Sequence, residues 1–170
     1  MSPRRPASRA TATAPTADID AARAVRARAV RLLARRDYSR AELRQRLIAR
    51  GALPTEVDPV LDELERAGYL SDARYAQAVV AQKTGRFSRR AIADALQMQR
   101  VPQAAISEAL ESHELDDQAT LVSLWRRRFG VPPADDREKA RQVRFLQSRG
   151  FALSAILRLL RAPPDEDGAP

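Results

Sequence analysis

The sequence predicts an all-α protein, built as an elongated tandem array of three three-helix repeats. Aromatic residues make up only 5% of its 170 residues against a hydrophobic fraction of 44%, so alanine and leucine supply most of the core. That composition favours helices over sheets. Glycines follow helix-compatible segments, where a helix commonly ends in a left-handed residue. Short motifs also recur at intervals of 49 residues, as expected of a repeat protein.

Nine helices are predicted, and glycine and proline set most of their boundaries. The glycines that end helices are Gly51, Gly68, Gly85, Gly130 and Gly150. The predicted helices cover residues 19–36, 39–50, 56–67, 72–84, 88–100, 103–112, 116–129, 135–149 and 153–161.

Internal repetition groups these helices in threes. Tyr38-Ser39 recurs as Phe87-Ser88, and Leu61 recurs as Leu110 and Leu159. Because a three-helix unit is too small to be stable alone, neighbouring units are expected to share core. The predicted divisions are a disordered basic tail (1–17), three repeats (18–70, 71–115 and 116–161) and a disordered acidic tail (162–170).

Two apolar residues, Tyr69 and Leu70, occupy the turn after the third predicted helix. Turns are usually polar, so we expect both side chains to be buried where the first repeat meets the second. Tyr38 and Phe87 hold equivalent places in two repeats, which favours structural roles at the joints between repeats over stacking on nucleic-acid bases. Trp125, inside the seventh predicted helix, is expected in the core.

Composition also limits the classes of protein. There is no cysteine, which excludes disulfides and thiolate metal sites. No apolar run approaches the ~18 residues of a membrane span. We therefore expect a cytoplasmic monomer that does not enter membranes. The net charge of +8 indicates an affinity for nucleic acid or an acidic partner.

Catalytic constellations are lacking in the sequence. The single histidine, His113, lies near a predicted helix end, where it can pair with the last carbonyl groups. Asp116-Asp117 and Asp135-Asp136 precede helices and are interpreted as caps. No glycine-rich phosphate loop remains once each boundary has its glycine. The sequence predicts neither an enzyme nor a bound cofactor.

Three basic clusters are the candidate partner-binding residues. Each could be a solvated surface, but three of them make a polyanionic partner about as credible. One cluster repeats at i, i+4 and i+7 and therefore shares a helical face. The clusters are Arg137, Arg141 and Arg144; Arg126, Arg127 and Arg128; and Arg86, Arg89 and Arg90.

Four motifs in order carry a family resemblance over about residues 25–161. They are Tyr38–Leu43, Gly68–Ala76, Arg86–Ile92 and Arg144–Phe151. Together they resemble the RecX family of bacterial regulators of the RecA recombinase. The resemblance implies a tandem helical fold that binds in the helical groove of the RecA nucleoprotein filament on single-stranded DNA. It also implies inhibition of RecA strand exchange and coprotease activity, with no cofactor or catalytic residue.

A second hypothesis stays open. Three-helix units can resemble DNA-binding domains, so the chain could be a sequence-independent nucleic-acid-binding protein in its own right, in direct contact with DNA.

Overall fold

The computed structural model describes residues 14–162, with side chains from residue 18 onward. The tail predictions fall largely outside these residues. Within the described range the chain forms nine α-helices and no strand, as predicted. The helices are α1 (Ala14–Leu33), α2 (Arg40–Ile48), α3 (Pro54–Arg66), α4 (Asp72–Lys83), α5 (Arg89–Met98), α6 (Gln103–Glu111), α7 (Asp117–Arg128), α8 (Asp136–Ser148) and α9 (Leu153–Arg161).

The start of α1 differs most from the predicted boundaries. It begins at Ala14 rather than at residue 19, inside the segment predicted to be a disordered tail. Pro15 falls in the first turn of this helix, where its missing N–H removes no hydrogen bond. The alanine-rich sequence after it has high helix propensity, so the helix extends further toward the N-terminus than hydrophobic content suggested.

The chain divides into two compact units. Among the described residues, the first unit takes 14–36 together with 42–70, and the second takes 37–41 together with 71–162. In the first unit α1 packs against α3. Its core is made of aliphatic side chains at helical spacing, which bury one face of each helix. Those buried residues include Val25, Ala29, Leu43, Leu47, Val57, Leu61 and Leu64.

The second unit contains the second and third repeats, each with its own apolar core. In the second repeat α6 packs against α4 and α5 around Ile92, Leu96 and Ile106. In the third, α9 packs against α8 and α7 around Leu146 and Ile156. The chain therefore repeats one three-helix plan.

Hydrogen bonds join the second repeat to the third. The backbone N–H of Ser88 donates to the carbonyl oxygen of Arg149 at 2.9 Å, and its hydroxyl donates to that of Gly150 at 2.8 Å. The Arg89 N–H, at the start of α5, donates to the Asp117 carboxylate at 2.7 Å. Ser88 is 1% exposed, so its hydroxyl needs this partner.

The segment 37–41 forms the matching bonds with the second repeat. The Ser39 hydroxyl donates to the carbonyl oxygen of Gln99 at 3.0 Å. The Arg40 N–H, at the start of α2, donates to the Asp72 carboxylate at 2.8 Å. The same arrangement thus occurs twice. In each case a buried serine hydroxyl donates to a carbonyl oxygen in the turn after the middle helix of the following repeat. An aspartate near the start of that following repeat accepts a hydrogen bond from the N–H of the residue after the serine.

The five boundary glycines all have positive φ, between 71° and 90°. This agrees with their predicted place just after helices. Gly150 has a second constraint, because a Cβ added there would lie 2.4 Å from the Ala91 Cβ and 2.6 Å from the Ser88 Oγ. Arg100 occupies the corresponding position of the second repeat with φ of 54°, so that turn carries a left-handed arginine.

A buried polar chain crosses the third repeat. The indole Nε1 of Trp125 donates to Gln142 Oε1 at 2.8 Å, and Gln142 Nε2 donates to the Val131 carbonyl oxygen at 3.2 Å. Both side chains are 2% exposed. Trp125 therefore lies in the core, as predicted. Gln142 supplies the hydrogen-bond acceptor for the indole N–H, which is the only polar group of the Trp125 side chain.

The turn after α3 confirms one burial prediction and corrects another. Leu70 is buried at 2% exposure, but Tyr69 is 56% exposed, so the expectation that both are buried was wrong for Tyr69. Their backbone N–H groups both donate to the Leu64 carbonyl oxygen, after Gly68 in the left-handed conformation. Such a tight helix end turns successive side chains in different directions, and only one enters the core.

This turn supplies a matched pair of variants. Leu70→Ala should lower the free energy of unfolding by about 3 kcal/mol, since it removes a fully buried side chain. Tyr69→Ala, on the exposed neighbour, should cost less than about 1 kcal/mol. Urea denaturation followed by circular dichroism measures both. Equal losses in the two variants would contradict the assigned burial.

Candidate functional site

Two of the predicted basic clusters meet in one concavity. Arg127 and Arg128 end α7, while Arg86 precedes α5 of the preceding repeat. The concavity has a volume of about 490 Å³. It is called the joint groove here, and it is lined by Arg86, Leu124, Arg127, Arg128, Phe145 and Arg149.

Arg149 is the groove residue that sequence reasoning missed. Its guanidinium carbon lies 4.9 Å from the ring centre of Phe87 and 5.2 Å from that of Phe145. Its Nε is buried and has no hydrogen-bond partner. The side chain is therefore held between two aromatic rings, with a buried donor that no group of residues 18–162 satisfies.

Among the residues that the structure describes, no carboxylate lines the joint groove. Within residues 18–162, none of its four arginines forms an ion pair. In the first unit, by contrast, arginines pair with acids: Arg44 Nε lies 2.6 Å from Asp58 Oδ1, and Arg26 Nε lies 2.9 Å from Glu63 Oε1. The hydrogen bond to Asp58, and then the charge of that carboxylate, raise the pKa of Arg44. The groove arginines have no such partner, so their positive potential faces solvent.

Two further concavities continue the joint groove along the third repeat. One, of about 330 Å³, is lined by Arg128, Phe129, Arg141 and Phe145. The next, of about 410 Å³, is lined by Arg137, Arg141 and Arg144 together with Asp135 and Glu138. Since Arg128 lines the first two concavities and Arg141 the last two, the three form one series. We call this series the arginine track.

The two ends of the arginine track differ in charge. Asp135 caps α8 by accepting from the Glu138 N–H at 2.7 Å, and Glu138 accepts from the Ala134 N–H at 3.0 Å. These carboxylates lie beside Arg137, Arg141 and Arg144 and weaken the potential there. None of the described residues that line the joint groove is acidic, so this is the more strongly basic end.

Three predicted candidates do not line the arginine track: Arg89, Arg90 and Arg126. The side chain of Arg90 pairs with Asp94 at 3.8 Å on the surface of α5. Arg89 contributes its backbone N–H to the bond with Asp117. The structure thus brings together six of the nine candidate arginines and adds Arg149.

His113, Asp116 and Asp135 stabilise helix ends. His113 Nδ1 lies 2.9 Å from the Ala109 carbonyl oxygen, at the predicted helix end. Asp116 and Asp135 cap α7 and α8, as predicted. Residues 14–162 contain no cluster of histidine, aspartate and glutamate that could hold a metal ion. None of the helices described has the length and hydropathy needed to cross a membrane. The chemistry that the arginine track offers is that of its guanidinium groups, which donate hydrogen bonds and carry positive charge.

The fold defines a helical protein of three three-helix repeats, with the arginine track on its second unit. Comparison with family models places it more closely: the models for RecX, first, second and third three-helix domain match residues 26–64, 71–110 and 115–160. The chain belongs to the RecX family.

Relatives agree with this assignment. Regulatory protein RecX from Leptothrix cholodnii is 42% identical over 134 residues, which cover 79% of this chain and 85% of the relative. Regulatory protein RecX from Pseudomonas savastanoi pv. phaseolicola is 40% identical over 151 residues, covering 88% and 97%. The crystal structure of RecX from Lactobacillus salivarius has the same fold, with a TM-score of 0.65 at 16% identity over 84% of this chain and 98% of that one.

Proposed function

We propose that this protein binds the RecA filament on single-stranded DNA and inhibits the recombinase, ATPase and coprotease activities of RecA. The observation that carries the proposal is its membership of the RecX family through all three helical domains. The relatives bear the name Regulatory protein RecX, which points to a regulatory role connected with RecA rather than to an enzyme. Its setting would be DNA repair, recombination and the SOS response in the bacterial cytoplasm, and it would act as a monomer without a cofactor.

The arginine track supports this function physically. A filament on single-stranded DNA carries the phosphates of that DNA, and phosphates attract guanidinium groups. The track places seven arginines on the third repeat and its joint with the second. Contacts along one face could bridge neighbouring RecA subunits, which would oppose their rearrangement during ATP turnover.

The direct test is the RecA ATPase on single-stranded DNA, with this protein titrated in. Substoichiometric protein should depress the ATPase rate, and it should slow RecA-stimulated self-cleavage of a LexA-type repressor in parallel. A heat-denatured sample of the same protein is the control. Unchanged rates at an excess of folded protein would exclude the proposal.

Sequence-independent nucleic-acid binding is the second candidate, and the acid-free joint groove favours it. A salt titration of binding to DNA alone separates the two candidates, because a protein that neutralises several phosphates loses affinity steeply with salt. Tight, salt-sensitive binding without RecA would favour the second candidate. Weak binding that tightens when RecA is present would favour the first.

A further inference from the structure

We infer that the joint groove is a binding site for a phosphate group, with Arg149 as its central ligand and Arg86, Arg127 and Arg128 around it. This deepens the proposed function and rests on it for the biological source of the phosphate. The site itself is argued from the groove alone. Phosphate chemistry could come from the phosphodiester backbone of DNA or from a phosphate ion in solution, and the experiment below distinguishes these sources.

The first argument is the unsatisfied donor of Arg149. A guanidinium carries five N–H donors, and a buried donor without an acceptor costs free energy. The Nε of Arg149 is in that position, and the two flanking rings supply only the faces of their π systems. An oxyanion in the groove could accept hydrogen bonds from this side chain, which lines the concavity.

The second argument is electrostatic. Four guanidinium groups share one concavity with no carboxylate among its described lining residues, so they repel one another. A bound dianion or phosphodiester reverses that repulsion and forms charge-assisted hydrogen bonds. Phosphate suits this set better than a single carboxylate, since its oxygens can accept from several guanidinium groups together.

The third argument is preorganisation. The backbone of Arg149 is held at its carbonyl by the Ser88 N–H, and Gly150 packs against Ser88 and Ala91 at distances that leave no room for a Cβ. The side chain is held in turn between Phe87 and Phe145. Little conformational entropy is therefore lost when an anion binds, which favours a specific site over a diffuse basic surface.

The test measures thermal unfolding of the full chain in increasing inorganic phosphate at fixed ionic strength, with chloride as the reference salt. A ligand that binds only the folded state raises the melting temperature with concentration. We expect phosphate to raise it more than chloride does. Arg127→Gln, an exposed groove position, should weaken phosphate binding about tenfold, and Arg149→Gln should weaken it at least as much. The matched control is Arg158→Gln, an exposed arginine outside the arginine track.

Arg149→Lys separates charge from shape. It keeps the positive charge but lacks the planar guanidinium fork, so phosphate binding should still fall. Equal phosphate and chloride effects in the wild type would overturn the site, as would a phosphate effect that survives in Arg127→Gln and Arg149→Gln. Because Arg127 is exposed, its variant remains informative if Arg149→Gln disturbs folding.

The source of the phosphate is identified by competition. A short oligo-dT that abolishes the phosphate effect in the wild type indicates the phosphodiester backbone, whereas oligo-dT without effect indicates free phosphate. The same variants are then assayed for inhibition of the RecA ATPase. Wild-type protein that binds phosphate but does not inhibit RecA would refute the proposed function and leave the site standing. Wild-type protein that inhibits RecA but does not bind phosphate would refute the phosphate site and leave the proposed function standing.

Discussion

Replacing Gly150 with alanine is expected to lower the free energy of unfolding by about 3–5 kcal/mol, which is large for the addition of one methyl group. Two costs combine. A residue with a Cβ costs about 1–2 kcal/mol in the left-handed conformation that Gly150 adopts. The new methyl group would also meet Ala91 and Ser88 at 2.4 and 2.6 Å, and relief of that overlap must separate the two repeats or break the Ser88 hydrogen bonds.

The measurement is well defined because Trp125 is the single tryptophan of the chain and lies in the core of the third repeat. Urea denaturation followed by tryptophan fluorescence therefore reports on that repeat. Gly51→Ala is the matched control. Gly51 has φ of 90°, close to the 89° of Gly150, but nothing lies within 4 Å of its added Cβ, so only the conformational cost of about 1–2 kcal/mol remains.

A second variant separates steric overlap from conformational strain. Ala91→Gly alone should destabilise α5 by about 1 kcal/mol, since it places glycine in a helix interior. In the Gly150→Ala background it removes the nearest clash and should instead recover stability, which gives a favourable coupling energy between the two sites. Additive losses, or equal losses in Gly150→Ala and Gly51→Ala, would show that the joint tolerates the methyl group.

The fold was largely predictable because local chemistry marks its boundaries. Gly51 and Gly68 adopt the left-handed conformation that ends a helix, and Asp116 and Asp135 cap the helices that follow them. These are interactions between residues a few positions apart, so their signals lie within one stretch of sequence. The 49-residue recurrence of apolar positions then predicted the grouping of the helices into three repeats, because equivalent core positions need similar side chains.

The sequence indicated which residues lie at the joints, but the polar contacts there could not be predicted because they connect distant residues. Ser39 stood out in the sequence through the recurrence of Tyr38-Ser39 as Phe87-Ser88, whereas its hydroxyl bonds to Gln99, sixty positions away. Arg149 likewise looked like the last residue before a boundary glycine, and its stacking on Phe87 arises only when the repeats pack. Since polar contacts of this kind depend on the relative placement of whole elements, a pattern in one segment does not reveal them.

Side-chain direction at tight turns was a further limit. Tyr69 and Leu70 are both apolar and adjacent, yet only Leu70 is buried. Gln142 shows the opposite case, a polar residue that is buried. It is buried because the Trp125 indole needs an acceptor. Composition alone does not determine such pairings.

Charge reversal of Arg137, Arg141 and Arg144 is expected to abolish inhibition of the RecA ATPase while leaving the fold intact. All three are exposed on one face of α8, and they line the concavity of about 410 Å³ at the end of the arginine track away from the joint groove. Glutamate at these positions joins Asp135 and Glu138 and makes this end of the track acidic, which repels phosphates and acidic protein surface. Exposed charges contribute little to stability, so circular dichroism and the unfolding midpoint should change only slightly.

Two comparisons decide whether this face binds the filament. Arg→Lys at the same three positions keeps the charge but loses the guanidinium fork, so partial inhibition should remain, and it should weaken as salt is raised. Lys139→Glu is the control on the same helix: Lys139 is exposed, and helical periodicity places it on the side opposite Arg137 and Arg141. The Lys139→Glu variant should inhibit RecA as strongly as the wild type does. If a folded triple-glutamate variant still inhibits, the acidic neighbours already make this end of the track unimportant, and the acid-free joint groove becomes the surface to test by reversing Arg86 and Arg127.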